Sequence, residues 1–377
     1  MYKEVFRPIL DFLDATNLLP SDKAHYLVLN FFDLCERNPL VLKLFEKVFT
    51  EGGKRFVDPR LRVNLGQIEL DNFLMVGAGW TKTGQGIKAL YTLGTGAVFP
   101  GGTTLFNQEG NSGITQRMLS SDVSWNHIGL KNPGAEFVAW KLKTYQNSKI
   151  PIIANIAANE NLNAELIPQA LALTVLTLYP YVAGFEIDCS CPNLAKSNLF
   201  QDLGLLNESI QTILDKMITL GGYKDIFLKT SPDWNNKLYD GYIKTVYDQG
   251  LTGLTIANTT SDPNIKAKYH KSWAIEEGGA GGNDPDYRQK VLGHIAYTRR
   301  NTWKNFVING VGGVDSWETA WEMLRAGANA IQLVTALRGE GPKVIDKIVR
   351  GVSQKMDEEG IKNLQEIVGL DAKKYLV

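Results

Sequence analysis

Cysteine and histidine are scarce in this chain of 377 residues, which holds three cysteines and four histidines. An odd number of cysteines without a regular spacing argues against a disulfide scaffold and indicates a reducing compartment. Cys189 and Cys191 are too close in sequence for a structural zinc site, and the histidines show no ligand spacing. We therefore predict no metal site.

Net charge and long apolar runs are also lacking. The chain has 40 Lys and Arg residues against 40 Asp and Glu residues, so we expect no nucleic-acid partner. No apolar run is long enough to span a membrane, and residues 1–20 carry charges throughout without a small-residue cleavage site. These absences predict a cytoplasmic protein.

Residues 2–50 show the apolar periodicity of helices, and Ser21 and Asp22 are suited to begin the second of them. One interpretation is a helical cap packed on the main body, which is the commoner role of such stripes. The other is an element bound to the inner face of a membrane, because short terminal helices rich in Phe and Leu suit a lipid surface. Periodicity alone favours the cap. The three apolar stripes consist of Val5, Phe6, Ile9, Leu10, Phe12 and Leu13, then Leu27, Val28, Phe31 and Phe32, then Val41, Leu44, Phe45, Val48 and Phe49.

From residue 60 onward, short apolar runs alternate with longer amphipathic segments. Eight such runs predict an α/β fold, namely a (β/α)8 TIM barrel over 56–377 with a small N-terminal helical extension over 1–55. A doubly wound open sheet is the alternative, but polar groups at most strand ends favour a ring of converging loops. The predicted strands are 73–76, 97–99, 152–156, 184–187, 226–229, 254–257, 306–308 and 330–333, and the predicted helices are 164–178, 206–220, 237–249, 285–300, 315–326 and 342–359.

Chemically useful side chains follow several of these strands. Cys191 could accept a proton if nearby cations lower its pKa, or it could be a buried and inert thiol, an interpretation that suits Cys189 better. Lys82 and Lys229 could stabilise a cofactor that becomes anionic, such as a reduced flavin. The alternative is that both lysines are solvated or salt-bridged.

Glycines near the last two strands are typical of a phosphate site. Gly312 and Gly313 precede a helix predicted to begin near Ser316, so backbone N–H groups can point at an anion, and Thr335 adds a hydroxyl. Glycines also serve tight turns, but barrels often bind phosphate after strands seven and eight. The position of these residues therefore favours phosphate.

Seven segments of the chain together resemble the dihydroorotate dehydrogenases, which are FMN-containing (β/α)8 barrels of pyrimidine synthesis. The resemblance covers roughly residues 60–360 and, more weakly, the N-terminal helices. Seven motifs in the right order are far more specific than any one of them. The segments are 77–84, 126–130, 190–193, 258–260, 278–282, 310–314 and 332–337.

The resemblance implies a role for each matching residue. Cys191 would take a proton from substrate C5 while C6 passes hydride to flavin N5, Lys82 would contact substrate and flavin, and His25 would line a quinone tunnel. The substrate would be bound by Lys82, Asn126, Asp188, Asn193, Asn258 and Thr259. The FMN would be bound by Ala78, Gly79, Lys82, Gly102, Asn155, Lys229, Gly281, Gly312, Gly313, Val334 and Thr335.

The chain mixes features of two subclasses of this family. Its N-terminal helices and His25 are similar to the membrane-associated, quinone-using class 2, whereas Cys191 is typical of class 1, because class 2 has serine as the base. Asp188 stands where the family has asparagine. An ionised aspartate only accepts hydrogen bonds, and it would repel the orotate carboxylate.

The resemblance thus implies FMN-dependent oxidation of dihydroorotate to orotate, with the electrons passed to quinone. One alternative is a related flavin oxidoreductase that acts on another dihydropyrimidine or an enoyl-type substrate, and Asp188 is its main support. Another is a non-catalytic flavin-binding barrel. The presence of Lys82, Cys191 and Lys229 together argues against that last alternative, because binding alone needs no base.

Overall fold

The computed structural model describes residues 21–193, 199–269 and 277–375. The first predicted apolar stripe, at residues 5–13, lies outside these ranges. The strands within them are β1 (Val63–Leu65), β2 (Ile68–Leu70), β3 (Leu74–Val76), β4 (Ala97–Val98), β5 (Gln116–Met118), β6 (Val123–Asn126), β7 (Ile153–Ile156), β8 (Gly184–Asp188), β9 (Asp225–Lys229), β10 (Gly253–Ile256), β11 (Gly279–Gly282), β12 (Val307–Val311) and β13 (Ala330–Leu333).

The α-helices of the described ranges lie mostly between these strands. In chain order they are α1 (Ser21–Arg37), α2 (Pro39–Phe49), α3 (Ile87–Thr92), α4 (Ala135–Leu142), α5 (Ile167–Leu178), α6 (Leu203–Thr219), α7 (Asn236–Asp248), α8 (Pro263–Ala267), α9 (Pro285–Arg300), α10 (Trp317–Ala326), α11 (Thr335–Gly339) and α12 (Val344–Glu359). None of them is both long and apolar enough to cross a bilayer.

Eight parallel strands form one sheet, in the order β4-β3-β13-β12-β10-β9-β8-β7. A parallel bridge between Val98 and Ile152 joins the two ends of this sheet. The backbone N–H of Val98 also donates to the carbonyl of Pro151 at 3.2 Å. The sheet therefore closes on itself as a (β/α)8 barrel. The barrel prediction is confirmed, and the alternative of an open sheet is wrong.

The barrel strands are buried on both faces. β7, β9, β12 and β13 are buried at every position. A parallel strand covered by helices outside and by packed side chains inside has no solvent face, so its sequence reads as a continuous apolar run. All eight predicted strands are found in the barrel, and the six predicted helices match α5, α6, α7, α9, α10 and α12 to within a few residues.

Helices α1 and α2 pack on the barrel through only one of their faces. Leu29, Phe32 and Phe45 are buried there, whereas most of the predicted stripe residues point away from the barrel. Packing as a helical cap therefore explains the apolar residues that face the barrel, but not those on the opposite face of the two helices. We call the other face the apolar outer face; its exposed residues are Tyr26, Leu27, Val28, Phe31, Leu34, Leu40, Val41, Leu44 and Val48.

A small antiparallel sheet, β5-β6-β11, lies outside the barrel. An antiparallel bridge between Thr260 and Ala280 connects it to the segment that follows β10. Asn126, at the end of β6, pairs with Gly279 of β11. This pairing carries Asn126 and Gly281 to the cavity described next.

Candidate active site

One cavity lies at the carboxyl ends of the barrel strands, where ligands bind in this fold. Every residue to which the sequence analysis gave a site role lines this cavity. They are His25, Ala78, Gly79, Lys82, Gly102, Asn126, Asn155, Asp188, Cys191, Asn193, Lys229, Asn258, Thr259, Gly281, Gly312, Gly313, Val334 and Thr335. The structure therefore brings all of these predicted residues together.

Asp188, the last residue of β8, is hydrogen-bonded by its neighbours at the strand ends. Its Oδ1 accepts from Ser190 N at 3.2 Å and from Asn258 Nδ2 at 3.1 Å. Thr259 N donates to Asn258 Oδ1 at 2.9 Å, which fixes the orientation of that amide. Burial raises the pKa of Asp188, although the nearby charge of Lys229 opposes the shift. Protonation of this carboxyl is therefore favoured relative to an exposed aspartate.

The two cysteines after β8 have different surroundings because the strand ends at Asp188. Cys189 is buried in the core, and its Sγ donates to Ile187 O at 3.5 Å. Cys191 lines the cavity. Burial raises the pKa of the Cys191 thiol, and the charge of Asp188 raises it further. The pKa of Cys191 therefore depends on whether Asp188 is ionised or protonated.

Two asparagines meet across the cavity from different elements. Asn193 Nδ2 donates to Asn126 Oδ1 at 2.5 Å. Asn111 Nδ2 holds the backbone of this turn by donating to Asn193 O at 3.1 Å. Asn193 Oδ1 is buried and has no hydrogen-bond partner among the described residues. A buried acceptor without a donor is costly, which is consistent with a ligand donor at this position.

Lys229, the last residue of β9, is buried against a carboxylate that the sequence analysis did not single out. Its Nζ lies 3.9 Å from Glu186 Oε1. Glu186 is itself fully buried, at the centre of β8. The sequence did contain a signal for Glu186, because it is a charged residue inside the apolar run 184–187. Charged residues are almost never fully buried without partners, so this position indicated a buried interaction.

The glycines after β12 form a cradle that larger residues could not make. At Gly312 φ is +110°, and an added Cβ would lie 2.3 Å from Tyr287 Oη. Gly313 also has a positive φ, of +78°. Thr335 Oγ1 lies 2.8 Å from Ser124 Oγ, and both residues line the cavity. Gly312 and Gly313 line it as well, and backbone N–H groups and hydroxyls are the donors that bind anions.

The helix predicted to begin near Ser316 is α10, and Ser316 is its N-cap residue. Ser316 Oγ accepts from Thr319 N at 3.4 Å, so one first-turn amide is already bonded within the helix. The short helix α11 begins at Thr335, which lines the cavity, whereas Ser316 does not. The start of α11 is therefore the nearer helix terminus for an anion.

His25 reaches the cavity from α1. Its Nε2 lies 2.7 Å from the carbonyl oxygen of Trp80, so Nε2 carries the proton and donates. Burial lowers the pKa of His25 to about 3, and the charges of Arg338 and Lys82 contribute to this shift. His25 is therefore neutral at physiological pH, with Nδ1 as an acceptor.

A (β/α)8 barrel with a thiol, two lysines, several amides and a glycine cradle in one carboxyl-end cavity is typical of enzymes that use a phosphate-bearing cofactor. Residues 60–356 match the dihydroorotate dehydrogenase family model. The dihydroorotate dehydrogenase (quinone) of Natronomonas pharaonis is 32% identical over 84% of this chain and 87% of that protein. The chain belongs to the dihydroorotate dehydrogenase family.

Other comparisons extend over nearly the whole chain. The dihydroorotate dehydrogenase (quinone) of a Roseiflexus species is 27% identical over 97% of both chains. A crystal structure of DHODH from Eimeria tenella in complex with ferulenol superposes with a TM-score of 0.81 at 21% identity, covering 95% of this chain and 98% of that chain. This last likeness concerns the fold alone.

Family membership makes the chain a flavin-dependent oxidoreductase. The residues of the cavity fit such a group. Asn155 Oδ1 and Gln332 Oε1 are buried acceptors without partners among the described residues, and both residues line the cavity. Gly312, Gly313 and Thr335 line the same cavity, where backbone N–H groups and a hydroxyl can donate to a phosphate.

Proposed function

We propose that this chain is a quinone-dependent dihydroorotate dehydrogenase that uses FMN. The observation that carries the proposal is the convergence of Cys191, Lys82 and the strand-end asparagines in one cavity, beside a glycine cradle. The names of the relatives support the substrate and the acceptor. A phosphate cradle beside the strand-end amides suits a mononucleotide such as FMN.

Cys191 is the proposed base. It would take the proton from substrate C5, and a bound flavin would supply the two-electron acceptor for the hydride that leaves C6. Asn126, Asn193 and Asn258 are proposed to hold the substrate by hydrogen bonds, since all three line the cavity. Because burial and the charge of Asp188 raise the pKa of this thiol, the thiolate that acts as the base must first form by loss of the thiol proton.

The lysines are proposed to stabilise negative charge. Lys229 is buried beside the cavity and Lys82 lines it. A positive charge near the flavin favours its reduced form, because that form is the more negative one. Gly312, Gly313 and Thr335 are proposed to bind the phosphate through backbone and hydroxyl donors.

His25 is proposed to bind the quinone. It is neutral, and its Nδ1 can accept a hydrogen bond from the hydroxyl of the reduced product. Arg338 lines the same cavity and can donate to a quinone carbonyl. The two side chains thus offer complementary hydrogen bonds to the two redox states of the acceptor.

We also propose that residues 1–55 attach the protein to the inner face of the cytoplasmic membrane. Leu34, Leu40 and Leu44 of the apolar outer face are 62%, 79% and 61% exposed. Exposed leucines on two adjacent helices suit insertion into the interface of a bilayer. A quinone dissolved in the membrane would then enter next to α1, which carries His25.

A second candidate is the same flavin chemistry on another dihydropyrimidine. Asp188 favours it, because an ionised carboxylate in the cavity repels a substrate carboxylate. A substrate without that group avoids the repulsion. The two candidates differ in the protonation state that Asp188 must adopt.

The testing experiment is anaerobic mixing of purified protein with dihydroorotate while flavin absorbance is followed. Rapid bleaching is expected, and reoxidation by a short-chain quinone should restore the colour. A yellow protein that does not bleach would favour the second candidate. A protein that stays colourless and inactive after FMN is added would overturn the flavoenzyme proposal.

A further inference from the structure

Glu186 lies at the centre of a buried hydrogen-bond network inside the barrel. Its carboxylate accepts from Asn155 Nδ2 at 2.8 Å, from Thr255 Oγ1 at 2.6 Å and from Gln332 Nε2 at 2.8 Å. These donors come from β7, β10 and β13, on different sides of the barrel. Glu186 is fully buried, and Lys229 Nζ lies 3.9 Å away.

The carboxylate decides which way the two amides point. A carboxylate only accepts hydrogen bonds, so Asn155 and Gln332 must each turn the NH₂ group of the side chain toward Glu186. Their carbonyl oxygens then face elsewhere. Both of these carbonyl oxygens, Asn155 Oδ1 and Gln332 Oε1, are buried without a partner among the described residues.

Both amides border the cavity, and a glycine lies beside the carbonyl oxygen of each. An added Cβ at Gly77 would lie 2.9 Å from Gln332 Oε1, and one at Gly102 would lie 3.1 Å from Asn155 Oδ1. Glycines thus stand directly beside both oxygens. The wall here offers acceptors, so it fits a ligand edge that carries N–H donors, such as the imide of a flavin ring.

We infer that Glu186 is a positioning residue, which orients the amides of Asn155 and Gln332 so that two carbonyl oxygens face the flavin. This inference rests on the proposed function, since it concerns the proposed cofactor. Glutamine at position 186 would both donate and accept, so the two amides could flip and present NH₂ groups to the cavity. The negative charge at this position would also be lost.

The test compares Glu186→Gln with wild type by titrating apoprotein with FMN and by measuring the flavin reduction potential and visible spectrum. The Kd for FMN should rise by about tenfold or more, as for a lost charge-assisted hydrogen bond. The potential should become more positive, because a negative charge near the reduced flavin is removed. Unchanged Kd, potential and spectrum would overturn the inference.

Two further variants keep this result interpretable. Asp225→Asn neutralises another buried carboxylate, at the start of β9 and so at the opposite end of the barrel; it should leave the Kd, the potential and the spectrum unchanged. Gln332→Met keeps the side-chain length but removes one oriented carbonyl, so it should weaken FMN binding. If Glu186→Gln does not fold, wild-type affinity in Gln332→Met would overturn the inference.

The outcomes also separate this inference from the proposed function. A wild-type protein that binds no flavin would overturn both of them. A wild-type protein that is bleached by dihydroorotate, together with a Glu186→Gln variant of unchanged affinity and potential, would overturn the inference alone.

Discussion

Asn258 donates its amide to Asp188, with 3.1 Å between Nδ2 and Oδ1. Ser190 N donates to the same oxygen. Asp188 thus accepts both of these hydrogen bonds through Oδ1. A proton on this carboxyl would therefore be carried by Oδ2. Protonated Asp188 could then donate from Oδ2 to a substrate, as the family's asparagine donates from its amide.

Asp188→Asn tests this equivalence. Asp188 has a raised pKa, so the protonated form dominates below that pKa and ionises as the pH rises through it. Orotate is an anion, so its affinity for wild type should fall as the pH rises, by about tenfold once Asp188 is ionised. The variant should lose this pH dependence and keep or raise dihydroorotate turnover.

Equilibrium titration of each protein with orotate across a pH series measures the effect. Asp225→Asn is the control for neutralising a buried carboxylate elsewhere in the barrel. If turnover of Asp188→Asn collapses, Asp188 is not a substitute for asparagine, and the second candidate function gains support.

Cys191→Ala should slow flavin reduction by dihydroorotate by roughly 10²–10⁴-fold, because a positioned base is removed. Stopped-flow absorbance under anaerobic conditions measures this rate. In wild type the rate should increase with pH. The pKa of Cys191 is raised, so the fraction of thiolate is small at neutral pH and grows as the pH rises. Cys189→Ala is the matched control, because that thiol lies in the core outside the cavity. Equal rates in wild type and Cys191→Ala would contradict the role of base.

His25→Ala should affect only the second half-reaction. Reoxidation of the reduced flavin by a short-chain quinone should slow by about tenfold, as for a lost hydrogen bond to the acceptor. Flavin reduction by dihydroorotate should stay unchanged. The pKa of His25 is about 3, so this residue should add no pH dependence between about pH 5 and 9. A wild-type rate with quinone would show that the acceptor binds elsewhere.

The apolar outer face should control binding to lipid vesicles. Leu40→Glu combined with Leu44→Glu should lower the partition coefficient by about 100-fold or more, because burying one leucine contributes roughly 1.5–3 kcal/mol. Co-sedimentation with liposomes measures the change. Leu370→Glu is the control, since Leu370 is exposed in a different part of the chain. Equal binding of the double variant and wild type would contradict membrane attachment through this face.

The sequence by itself determined the elements of the barrel. A strand with no solvent face is mostly apolar along its length, as in 330–333. This pattern lies within a few consecutive residues, so the strand can be predicted from the sequence. Because the strands are parallel, their carboxyl ends meet at one end of the barrel. The cavity residues at those ends, such as Lys229 and Asn258, could therefore be predicted from their place in the sequence alone.

Only the tertiary structure decided how those residues act on one another. The role of Glu186 follows from the three donors that β7, β10 and β13 place around it. The spacing of these residues along the chain does not predict that they meet. The raised pKa of Cys191 likewise depends on burial and on the nearby charge of Asp188. The apolar stripes of α1 and α2 could face either the barrel or the outside, because periodicity records that a face is apolar but not what covers it.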